Sequence, residues 1–209
     1  MKIVILGSHG TGKTTIAQEL HKYLREKYTT RVGGVLVDGI NNPDKTVLAK
    51  TISGQHLRWK YLPDGPIEAL QKGFPVNDIT SVESEWWIIA KQIELELLTP
   101  QPWVADKCLI DILAYAHFLF QHEPEFLRVA GEMIKKNINY DLVIYLPTGE
   151  FPIEDNGMRS TDPKFQKDID DVILDLLMEL NIPYYRISGD KKTRSREVRN
   201  ILDKTINLI

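Results

Sequence analysis

Nine residues near the start of the chain constrain its fold more than any other feature. Gly7, Ser8, His9, Gly10, Thr11, Gly12, Lys13, Thr14 and Thr15 directly follow the apolar run Ile3-Val4-Ile5-Leu6. A GxxxxGKT loop in that position joins a buried strand to a helix. Its glycines let the backbone wrap an anion, and the N–H groups of the loop and following helix face it. The pattern calls for the β- and γ-phosphates of a nucleoside triphosphate. Lys13 supplies a point charge toward them, and the Thr14 hydroxyl is placed to ligate Mg²⁺. His9 stands where the motif uses backbone, so its side chain is read as tolerated rather than catalytic.

The 209 residues suit one α/β domain carrying a lid or insertion and are few for two. A net charge of −3 gives no bulk attraction to polyanions. The single cysteine, Cys108, excludes an intramolecular disulfide framework and the usual zinc spacings, which fits a reducing interior. The N-terminus opens straight into a strand without a leader pattern, and no segment approaches 18 uninterrupted apolar residues. The expectation is a cytoplasmic protein with no membrane partner.

Five short apolar runs read as buried strands: 2–6, 35–38, 103–106, 142–146 and 184–187. Helical patterns separate them. Ile16, Leu20, Tyr23 and Leu24 share a face after the loop, and Thr80 with Glu83 reads as a capping box ahead of Trp86, Ile89, Ile93 and Leu97. Trp86 and Trp87 are expected in the core facing the sheet, with room for one of them to line the pocket. Asp162-Pro163 starts a helix that Asn181 and Pro183 end. Strands alternating with helices imply a parallel sheet covered on both faces. Two stretches break the rhythm: 39–79, where a substrate-binding insertion would sit, and 147–162, which reads as a lid. Ligands of such sheets lie beyond the carboxyl ends of the strands, so both should meet the phosphate loop at one crevice.

Phosphoryl transfer needs a carboxylate for the metal, a group that orients or deprotonates the acceptor, and cations that follow the moving charge. Asp106, ending Trp-Val-Ala-Asp, is the metal-side acid, unless it only caps the next helix. Asp38, ending Val-Leu-Val-Asp, is the general base, unless it only forms the turn before Gly39. Asp111 reads at least as well as a favourable charge at a helix N-terminus. Arg159 is the leading cation and Lys107 a second, without a bidentate fork. The basic tract 190–204 reads as a charged helix face opposite Val198, Ile201 and Leu202, although one of its arginines could stack on adenine. Arg58-Trp59-Lys60-Tyr61 interleaves bases with aromatics, a combination that stacks on bases, yet packing is the simpler reading.

With these residues in place the chain resembles the P-loop nucleoside and nucleotide kinases. It is most similar to ribosylnicotinamide-kinase-like ATPases and, more distantly, to thymidylate kinases. The resemblance rests on the loop Gly7–Thr14, on Asp106-Lys107 where these families commonly have Asp-Arg, and on Ile112-Leu113-Ala114-Tyr115 beyond it. It continues in Asp155-Asn156-Gly157-Met158-Arg159-Ser160, similar to a lid written Asp-Asp-Gly-x-Arg, and in Ser188-Gly189-Asp190, like an adenine-side loop. Lys107 and Asn156 depart from the family pattern.

The resemblance implies a three-layer α/β sandwich with a five-stranded parallel sheet in the order 2-3-1-4-5. It implies ATP and Mg²⁺ as cofactors and a kinase that phosphorylates a nucleoside- or nucleotide-like small molecule. Asp38 would be its acidic base. Two alternatives stay open: a phage-type kinase acting on a hydroxymethylpyrimidine base in DNA, and a regulatory nucleotide-binding ATPase or switch without transferase activity. A homodimer is compatible with either enzyme.

Overall fold

In a computed structural model of the chain, the residues described are 1–28, 58–76, 79–153 and 160–208. β1 (Lys2–Leu6) is apolar after its first residue, and those apolar residues are buried. It lies at the centre of a five-stranded sheet. From one edge the order is β2 (Lys60–Leu62), β3 (Trp103–Ala105), β1, β4 (Leu142–Tyr145) and β5 (Tyr185–Arg186). Every neighbouring pair is parallel, with Lys2 opposite Trp103 and Ile3 opposite Leu142 in the two central ladders. The expected fold class and strand order are therefore observed.

Seven helices are present among the described residues: α1 (Lys13–Tyr28), α2 (Gly65–Gln71), α3 (Val82–Leu98), α4 (Leu109–Leu119), α5 (Pro124–Asn137), α6 (Pro163–Glu179) and α7 (Lys191–Leu208). Successive strand residues point to opposite faces, and the core divides accordingly. Val4 and Leu6 pack with apolar residues of α2 to α6, whereas Ile3 and Ile5 pack with Ile16, Leu20 and Leu24 of α1 and Val198 and Leu202 of α7. Burying each large aliphatic side chain of β1 is worth roughly 1.5–3 kcal/mol. The result is three layers. No helix among the described residues is long and apolar enough to cross a membrane.

The well-punctuated helix forms as the sequence suggests. Asp162 caps α6 by accepting from the Lys164 amide at 2.8 Å, and Asn181 leaves the helix with a left-handed φ of 52°. Three expectations shift. The N-cap of α3 is Ser81, which accepts from the Ser84 amide, rather than Thr80. Trp86 and Trp87 are only partly buried, packed on Phe126 and Phe74 respectively, and line none of the cavities described below. The basic-aromatic segment at 58–61 supplies β2, with Trp59 buried under the sheet, so an edge strand comes from within 39–79. The apolar run 35–38 lies outside the described residues.

Candidate active site

All five strands point their carboxyl ends to one side, and their connections converge there. At the end of β1 the chain turns sharply at Gly7, where a Cβ would run into the Leu146 carbonyl oxygen. Gly12 has a φ of 86°, a left-handed conformation that favours glycine. Between them the loop is shaped by side chains from distant helices. Gln166 of α6 donates to the His9 carbonyl at 2.6 Å, and Arg194 of α7 donates to the Thr11 carbonyl at 2.6 Å. In a trans peptide the carbonyl opposes the next N–H, so drawing these oxygens outward turns the Gly10 and Gly12 amides the other way.

A cavity of about 500 Å³ opens there. Gly10, Gly12, Lys13, Thr14 and Thr15 form one side of it, and Asp64, Asp106, Lys107 and Tyr115 another. The Lys13 ammonium donates to the Gly7 and Ser8 carbonyls at 2.6 and 2.8 Å, and burial lowers its pKa against the pull of Asp111. His9 also lines the cavity, its Nδ1 2.9 Å from the Tyr115 hydroxyl and its ring against Phe165. Arg194, read from the sequence as part of a solvated face, is 1% exposed. It pairs with Glu150 at 2.7 Å and lies over the Phe151 ring.

Asp106 follows β3, held in place because its amide donates to the Leu62 carbonyl at 3.0 Å. One carboxylate oxygen accepts from the Tyr61 hydroxyl at 3.1 Å; the other, Oδ1, is buried without a partner. Burial raises its pKa to about 6, opposed by Lys13 and by the Thr14 hydroxyl beside it. An orphaned carboxylate oxygen next to a threonine hydroxyl suits a hard cation. Among the described residues no group of three metal-ligating side chains forms, so an ion held by Thr14 and Asp106 would complete its shell with phosphate oxygens and water.

Asp111 is buried in the first turn of α4, as its helix-terminal reading suggests, and it also reaches the loop. Its oxygens accept from the Cys108 amide at 3.0 Å and the Gly7 amide at 3.2 Å. Lys107 points into the cavity 3.7 Å from Asp64 and 4.7 Å from the centre of the Tyr115 ring. Burial disfavours its charge, yet Asp64, Tyr115, Asp111 and Glu85 together hold its pKa above the usual lysine value. Its carbonyl accepts from Gln92 at 3.1 Å, which fixes the exit from β3.

Sequence reasoning also missed Asp64. It occupies the N-cap position of α2 but makes no capping hydrogen bond; its carboxylate turns instead toward Lys107 and the cavity. Asp38 and Arg159 lie outside the described residues.

A family model described as an AAA domain matches residues 2–194. The chain belongs to the AAA domain family. No curated protein is similar enough in sequence to match this AAA domain protein. Among solved structures, a deoxyadenosine kinase from M. mycoides, with products dCMP and a flexible dCDP bound, superposes with a TM-score of 0.61 at 16% identity, covering 98% of this chain and 99% of that one. The NadR protein in complex with NR gives a TM-score of 0.70 at 14% identity, covering 98% of this chain and 51% of the other, so this AAA domain protein spans about half of NadR. A thymidylate kinase from Ehrlichia chaffeensis gives 0.58 at 17% identity, with 97% and 98% covered. The fold is that of P-loop nucleoside and nucleotide kinases.

Proposed function

We propose that the chain is an ATP- and Mg²⁺-dependent kinase that moves the γ-phosphoryl group to a hydroxyl or phosphate of a nucleoside- or nucleotide-like acceptor. The observation that carries this reading is one cavity lined at once by the phosphate loop, Asp106, Asp64 and Lys107. Lys13 and the loop amides hold the donor phosphates. Thr14 and Asp106 hold Mg²⁺, which would supply charge neutralisation of the transferring group.

Asp64 orients or deprotonates the acceptor, the role the sequence suggests for Asp38, with Lys107 beside it as a cation for the acceptor or the migrating phosphoryl group. Arg159 supplies a further cation for that group, and residues from 39–79, Asp64 among them, serve the acceptor. A regulatory switch would have no need of an acid at Asp64 facing the phosphate loop.

The deciding experiment incubates the protein with γ-labelled ATP and a panel of nucleosides, mononucleotides, and normal and hydroxymethylpyrimidine DNA, then locates the label. Label on a small acceptor supports the proposal. Label on DNA moves the acceptor to a polymer, and release only as free phosphate overturns the transferase reading.

A further inference from the structure

Glu85 stands in the first turn of α3, where an acid ordinarily faces water and favours the helix N-terminus. Here it is 3% exposed, and its Oε1 has no hydrogen-bond partner. A buried carboxyl left in that state is costly unless something completes it. It lines a second cavity, of about 30 Å³, with Val76, Ile88, Ile112 and Leu119 as apolar walls. Lys107 and Tyr115 are common to this cavity and the larger one. Burial pushes the Glu85 carboxyl up to about 7, with Lys107 opposing.

We propose that this small cavity reads the acceptor, with Glu85 accepting a hydrogen bond from an exocyclic amino or amide N–H carried by the acceptor's ring. The volume suits a substituent rather than a ring, since one water already needs about 10–15 Å³ of such space. The ring itself stays in the larger cavity against Lys107 and Tyr115. Thr80 also lines this cavity, and within it the Glu85 Oε1 is the buried acceptor left without a partner; a site built to pair a donor rejects an analogue that lacks it. The inference rests on the kinase reading for the ring-bearing acceptor, and it names the class: amino- or amide-bearing rings over those presenting acceptors alone.

The test is calorimetric titration of the intact protein at pH 7 with saturating Mg·ADP, using paired probes that differ in the donor. Cytidine is compared with N4,N4-dimethylcytidine, and adenosine with N6,N6-dimethyladenosine. The amino-bearing member of at least one pair should bind about 10-fold tighter or more. E85L should erase that preference, E85Q, which keeps an acceptor oxygen, should retain part of it, and Mg·ADP affinity should stay within about 2-fold in both.

Absence of the preference in the wild-type protein, failure to bind any probe, or a preference unchanged in E85L would each overturn the inference. Phosphoryl transfer measured alongside separates the two readings. Transfer with an unchanged E85L preference removes the reading slot alone, whereas Glu85-dependent binding without transfer removes the kinase alone.

Discussion

The Gly7 amide donates to the Asp111 carboxylate at 3.2 Å, fastening the first turn of the phosphate loop to the start of α4. Because the same carboxylate also caps that helix through the Cys108 amide, one buried side chain fixes two elements from different parts of the chain. Asp111→Ala should cost about 2–4 kcal/mol of stability, since it strands two buried donors. Asp111→Asn should recover only part, because its amide must present N–H to one of those N–H groups. Urea denaturation of the three proteins checks this, and Mg·ATP affinity should fall with stability.

Lys13 is already drawn into the loop by the Gly7 and Ser8 carbonyls. Lys13→Ala should lower turnover by about 10³-fold or more while leaving the fold intact. Single-turnover transfer and circular dichroism on the same preparation give both values. A turnover within about 10-fold of wild type would remove the ammonium from transition-state stabilisation.

Asp64→Asn should lower turnover by about 10²-fold or more with ATP affinity nearly unchanged, the signature of a group acting on the acceptor. Asp38→Asn, assayed in parallel, should have the smaller effect. The reverse order would return the base to Asp38.

Asp106→Asn replaces an orphaned carboxylate oxygen with a neutral amide. The Mg²⁺ concentration for half-maximal turnover should rise about 10-fold or more, with a smaller change when ATP binding is measured without metal. Mg²⁺ titrations of turnover decide it.

Glu96 is buried behind the site, accepting from Gln92 at 2.8 Å and from the Tyr140 hydroxyl. Burial raises its pKa from 4.5 to about 7. The folded chain therefore binds this proton more tightly than the unfolded one, so the associated stability is present below about pH 4.5 and is lost as pH rises through 7. Glu96→Gln removes that dependence. Relative to wild type, the variant should gain about 3 kcal/mol between pH 4.5 and 8, measured by denaturation at both ends. A difference that does not change with pH would contradict the assignment.

The parts of this molecule legible in the sequence are those set by local chemistry. The phosphate loop declares itself through Gly7, Gly12, Lys13 and Thr14, and α6 through Asp162, Pro163 and Asn181. Asp106 is legible because it closes a buried apolar strand. β2 is not, because Lys60-Tyr61-Leu62 is a three-residue edge strand whose first side chain faces water, and only its pairing with β3 defines it. Asp64 hides for the same reason: Leu62-Pro63-Asp64-Gly65 reads as a turn until the strand before it is placed. Glu85 and Arg194 sit in helices whose neighbouring charges are exposed, and burial of one charge among several leaves no trace in periodicity.

Arg194 reaches from the last helix into a loop formed by the first fifteen residues, holding the Thr11 carbonyl. During synthesis the chain must therefore be extended past residue 194, and that stretch must clear the ribosome, before the amino-terminal turn can take its final shape. The turn that carries the phosphate-loop motif is thus completed by a helix 183 residues further along the chain, so its final shape waits on long-range folding.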